Sequence, residues 1–206
     1  MSSTKNENAG SELVGRLRES TIKNVDVAQF LDGLSHEDRV TAIRAIGAKE
    51  QRKLYDAAEG FAPVRLIELV AGDVPDLGVV RHYGKNSLPF FSQFEKRFSR
   101  APGQDPSAPV ELMGFNFQTM SPITGPGYYV AIEDEKRGEV LVDYRRVPDC
   151  HPEGWPEIRS NERGLGRIVY GFMVDTLRRV SEHVTIGSAS RDGKDTGNWF
   201  VLCREA

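Results

Sequence analysis

The chain has 206 residues, 39% hydrophobic and 28% charged, with a formal net charge of −3. It is long enough to bury a sizeable core, and no apolar run approaches the ~20 residues that would span a bilayer, so integral membrane association is not expected. The acidic balance argues against nucleic acid as a partner, which a basic excess would announce.

The first residues, MSSTKNENAGSE, are polar and lack the apolar segment of a secretory signal. Residues 1–11 therefore read as a disordered tail on a cytoplasmic protein, in which Cys150 and Cys203 would be reduced thiols. Residues 12–60 read as a helical region. Ser35 with Asp38 three positions on is an acidic relative of the capping box, and Val40, Ile43 and Ile46 continue it as a helical stripe closed by Gly47. Val25, Ala28 and Leu31 give a weaker stripe before it, and another helix is expected from Ala48 to Glu59.

Residues 61–206 read as an α+β domain packed as one unit with the helices. VRLIELV, residues 64–70, suits a short helix or a buried strand equally well. A strand is expected from Leu77 to Tyr83. LPFFSQFEKRFSR then places Phe90, Phe91, Phe94 and Phe98 on one helical face, with Pro89 in the first turn. Three strands follow, over Glu111–Met120, Gly127–Glu133 and Glu139–Val147, joined by connections short enough to force antiparallel neighbours. In the third, Val140, Val142 and Tyr144 alternate with Asp143 and Arg145, the pattern of a sheet with one covered face.

The segment PDCHPEGWPEIRS carries three prolines and Trp155 and reads as an irregular strap or functional loop. From Asn161 to Glu182, Leu165, Ile168, Val169, Phe172, Met173 and Val180 share one arc at 100° per residue, which predicts a long amphipathic helix. Gly171 at its centre would cost about 1 kcal/mol relative to Ala and implies a close approach there. Val174, on the opposite arc, suggests a second covered side. A hairpin follows, turning at Asp192-Gly193. The expected fold class is α+β: an N-terminal helical region packed with an antiparallel sheet of about five strands, and the long helix set before a C-terminal β-hairpin.

No residue pattern names a reaction. Gly164-Leu165-Gly166 lacks the third glycine of a dinucleotide fingerprint, since position 169 is Val169, and neither a P-loop nor HExxH nor GxSxG occurs. Cys150, His151, His183 and Cys203 carry zinc-binding atoms without the spacing of a zinc module, so no metal site is assigned and no cofactor can be named. His82 and Lys85, in RHYGKN, and His151 are the candidate polar groups for a site.

The order of features from Glu139 onward is GEVLVDYRRVP, a proline-bearing connector, GLGRIVYGFMVDTLRRV, and the hairpin HVTIGSASRDGKDTGNWFVLCRE. It resembles the ligand-binding fold shared by vesicle-tethering TRAPP subunits, 4-vinyl-reductase-type sensor domains and haem nitric-oxide-binding domains. The resemblance covers roughly residues 110–206 and implies a binding or interaction module. The cysteine-rich zinc motif and the proximal haem histidine found in parts of that superfamily have no counterpart in this sequence.

The expected function is noncatalytic: a sensory or interaction module that takes an apolar small molecule or a protein partner, with a homodimer left open. Its ligand-binding residues would be Phe90, Phe91, Phe94, Phe98, Phe172, Met173 and Trp155, in a cleft between the two expected helices and the sheet. The alternatives are a small enzyme using His82, Lys85, Asp143 or His151, and a structural or assembly subunit.

Overall fold

A computed structural model describes residues 2–89, 92–118, 125–161 and 166–205. Five helices come first: α1 (Ser2–Arg18), α2 (Asn24–Asp32), α3 (His36–Ala45), α4 (Ala48–Ala57) and the single turn α5 (Leu66–Leu69). Helix α1 takes in residues 2–11 of the segment expected to be a disordered tail. Five strands follow: β1 (Val80–Asn86), β2 (Gln93–Ser99), β3 (Leu112–Phe117), β4 (Tyr128–Asp134) and β5 (Glu139–Asp143). After the short α6 (Gly166–Val169) come β6 (Met173–Arg179), β7 (Val184–Arg191) and β8 (Lys194–Arg204).

The eight strands run in sequence order around a closed antiparallel barrel, and β8 returns to pair with β1. This overturns the expected α+β fold with a five-strand sheet. Two segments assigned to helices are strands. LPFFSQFEKRFSR supplies β2, and within the expected Asn161–Glu182 helix residues 166–179 form α6, a reversal through Tyr170 to Phe172, and β6. Phe172 has a φ of 61°, which no α-helix accommodates. Met173–Arg179, the later part of that expected helix, is thus a barrel strand.

Closure removes both sheet edges, and the pleat sorts side chains alternately inward and outward. Val80, Phe98, Leu112, Ala131, Val140, Val142, Leu177 and Leu202 point inward and form one apolar cluster. Val64, Leu66, Leu69 and Val70, in and around α5, belong to the same cluster and plug one end of the barrel. Arg100 secures that plug through Asp76 Oδ1 at 3.0 Å, and Leu66 N donates to Glu133 Oε1 at 2.7 Å.

Outside, α1–α4 lie over β7, β8 and β1. Leu13 and Leu17 of α1, Val27 and Leu31 of α2 and Ile43 of α3 pack with Val184, Ile186, Val201 and Cys203, the outward residues of the last two strands. Ser35 caps α3 by accepting from Asp38 N at 3.2 Å, as its spacing predicts. The proline-rich strap crosses the opposite wall, where Trp155 packs on Met113, Phe115 and Tyr128. Val174 is half-buried on the outer face of β6. Asp192 and Gly193 turn the β7–β8 hairpin with φ of 50° and 73°, the geometry of a two-residue primed turn.

Candidate functional site

The barrel is filled at the α5 end and hollow toward the other, where a cavity of about 420 Å³ remains. Its apolar lining comes from Phe94, Phe200, Met173, Val169, Tyr170 and Ala189, with Leu88 and Trp199 nearer the rim. Phe94 and Phe200 meet edge to face at 6.0 Å. Two inward glycines make room for these rings: a Cβ at Gly187 would fall 2.3 Å from Phe200, and one at Gly84 would fall 2.8 Å from Phe94. The β7–β8 hairpin contributes Arg191, Thr196 and Asn198 to the rim, and the end of β1 contributes Asn86.

Beneath the apolar lining lies a polar floor. Lys96 (β2) and Asp175 (β6) both occupy inward positions, where strand parity would otherwise call for apolar residues. Lys96 Nζ donates to Asp175 Oδ2 at 2.9 Å, to Asn116 Oδ1 at 3.2 Å and to the Tyr144 hydroxyl. Asn116 Nδ2 donates to the same hydroxyl at 2.8 Å, and that hydroxyl donates onward to Asp175 Oδ2 at 3.2 Å. The Lys96 and Asp175 side chains are 1% and 4% exposed, so this is a fully interior ion pair.

Three rings complete the surroundings of the ammonium, with Tyr129, Tyr144 and Phe200 centroids 4.9, 4.8 and 5.0 Å from Nζ. Burial pushes the Lys96 pKa below the ordinary lysine value, and the Asp175 carboxylate opposes that shift. Desolvation, reinforced by Asp175, holds the Tyr144 phenol well above its usual range. Tyr144 therefore stays a neutral hydroxyl over any physiological pH. Above it Tyr170 stacks ring on ring at 5.5 Å, held by Gln118 Nε2 donating to its hydroxyl at 2.7 Å.

Lys96 uses all three of its N–H groups, and Tyr144 uses its single O–H. Asp175 Oδ1 is different: it is buried and has no hydrogen-bond partner among the described residues. The floor therefore keeps an acceptor in hand and has no ammonium donor to give.

Of the residues singled out from sequence, Phe94 and Met173 line this cavity. Phe98 is inward but deeper, in the solid core against His82 and Tyr129. Phe172 is 37% exposed beside α6, and Trp155 lies on the outer wall. Phe90 and Phe91 lie outside the described residues. His82 points into the plugged end, bonded to the Leu69 carbonyl at 3.0 Å, whereas Lys85 points outward and donates to the Arg44 carbonyl at 2.7 Å. His151 sits in the strap against the Pro152 carbonyl, and Asp143 faces outward, chelating the Arg145 guanidinium. The structure brings none of these four polar groups together.

Sequence reasoning missed Lys96, Asp175, Asn116 and Tyr144 as a group. A usable signal existed: Phe94-Lys96-Phe98 and Met173-Asp175-Leu177 each place a charge between two apolar residues of the same strand parity, and the two charges are opposite.

Cys150 is exposed and Cys203 buried, both as free thiols, and no cluster of three or more His, Cys, Asp or Glu suited to a metal occurs among the described residues. No helix among them is long and apolar enough to cross a membrane. The chain matches no protein-family model, and no curated protein matches it in sequence.

Proposed function

We propose that the protein binds one small, predominantly apolar molecule inside its barrel, as a carrier or sensor of that molecule. The observation that carries this reading is the 420 Å³ space left within a closed barrel whose other end is packed solid. An eight-stranded barrel is just wide enough to be filled by its own side chains or to hold one small ligand. Here Ala189 stands in the lining where a larger residue would close the space, and Gly84 and Gly187 let the Phe94 and Phe200 rings lie back against the wall. The volume lies within the range of small-molecule sites, and the lining has their usual character, apolar walls with a few placed polar groups.

The test uses N-phenyl-1-naphthylamine, an apolar probe whose fluorescence rises on leaving water, together with native mass spectrometry of the full chain. One probe per chain is expected. Ala189→Phe, which fills the cavity from β7, should abolish the signal while leaving circular dichroism and thermal unfolding cooperative. Unchanged probe binding in a folded Ala189→Phe variant would place the binding elsewhere and refute the proposal.

A further inference from the structure

We infer that the ligand reaches the cavity floor with a neutral hydrogen-bond donor, an alcohol, phenol or N–H group, which Asp175 accepts, and that ligands ending in a carboxylate are disfavoured there. The inference rests on the reading of the barrel as a ligand site and adds the chemistry of the ligand's polar end.

Nearly every donor at the floor is already committed. Lys96 has three N–H groups, directed to Asp175 Oδ2, Asn116 Oδ1 and the Tyr144 hydroxyl. The Tyr144 proton is committed to Asp175 Oδ2, and its oxygen already accepts from Lys96 and Asn116. An anion arriving at this floor finds the lysine's charge neutralised and its protons in use. It would also lie against Asp175, a lining residue whose Oδ1 is buried without a partner. Two anionic oxygens cannot share that position without a proton between them.

A donor supplies what is missing. With a small turn of the carboxylate toward the cavity that Asp175 lines, an O–H or N–H on Oδ1 makes a charge-assisted hydrogen bond, the stronger kind, and removes the cost of an unsatisfied buried acceptor. A cationic amine could also donate, but it would add a second positive charge close to Lys96 in a low-dielectric interior. The matching chemistry is therefore an apolar body with one uncharged donor. Discrimination against the analogue lacking that donor should be large, because such an analogue leaves Asp175 unpaired.

The test is a matched series at neutral pH: naphthalene, 2-naphthol and 2-naphthoate, measured by displacement of N-phenyl-1-naphthylamine and by titration calorimetry. 2-Naphthol should bind roughly ten-fold or more tighter than naphthalene, with 2-naphthoate the weakest. In the double variant Lys96→Met/Asp175→Leu the naphthol advantage should vanish while naphthalene still binds. Asp175→Asn, which keeps the shape, should reduce the advantage and serves if the double variant does not fold. Naphthoate binding as tightly as naphthol, as it would if the Arg191 rim captured the anion, overturns the inference and leaves the ligand-binding reading standing. So does a naphthol advantage that survives in the variants. Failure of every probe, N-phenyl-1-naphthylamine included, overturns both.

Discussion

Separating the Lys96–Asp175 pair should expose what the barrel interior tolerates. Both side chains are almost wholly out of water, and Nζ and Oδ2 are 2.9 Å apart. Taking two charges out of water costs several kcal/mol each, and their mutual attraction roughly repays it, so the pair as a whole adds little net stability. Removing one member is a different matter. Lys96→Met leaves the Asp175 carboxylate buried with only the Tyr144 proton, at a cost of about 3–5 kcal/mol. At the ~2–4 °C per kcal/mol expected for a chain of 206 residues, the midpoint should fall by roughly 6–20 °C. Asp175→Leu should cost a comparable amount at neutral pH. Its deficit should shrink as the pH rises, because the orphaned Lys96 sheds its proton in the folded state before it does so in the unfolded chain. The double variant Lys96→Met/Asp175→Leu should lie within about 1 kcal/mol of the parent, or above it. Urea titrations of all four proteins give the coupling energy directly. Independent sites add to within ~0.3–0.5 kcal/mol, so a double variant as unstable as the sum of the singles would refute the account of a desolvated, mutually neutralising pair.

His82 gives a second prediction, on pH dependence. It is buried with the Leu69 carbonyl as its hydrogen-bond partner, and burial lowers its pKa to about 3 from an ordinary 6.5. Between those values the unfolded chain binds the proton more tightly, so stability is full above pH 6.5 and falls as the pH drops, by about 2 kcal/mol at pH 5. His82→Gln should lack that component, and parallel urea midpoints for parent and variant from pH 8 to pH 5 would count against it. The helical layer offers a third test: Ser35→Ala removes the 3.2 Å cap on Asp38 N and should cost about 1 kcal/mol, seen as a midpoint ~2–4 °C lower without loss of probe binding.

Some of this fold can be read in the sequence because local chemistry decides it. Ser35 caps a helix, Val140, Val142 and Tyr144 alternate into a covered face, and Asp192-Gly193 turns a hairpin, each through interactions among residues a few positions apart. The barrel strands β2 and β6 resist such reading for a specific reason. Phe94 and Phe98, like Met173 and Leu177, are four apart, and four is an even number close to a helical turn, so the same pair shares a face in either conformation. What would break the tie is the residue between them. In both strands that residue is charged, Lys96 or Asp175, because the interior uses a pair of opposite charges there. The feature that defines the candidate site is also the one that disguises its strands. The cavity itself depends on which residues meet across the barrel, and no local pattern contains that.

The N-terminal helices lie against the seam where β8 meets β1, and this sets the order of events when the chain is made. Leu13, Leu17, Leu31 and Ile43 leave the ribosome well before their partners on β7 and β8. Until then those apolar faces have no surface to cover, and β1 has no second neighbour. Pairings between distant parts of a chain form slowly, because loop entropy is spent before any contact rewards it. Closing the ring and seating the helical layer therefore become one late step, and a nascent chain lacking its last strand holds two unfinished surfaces at once.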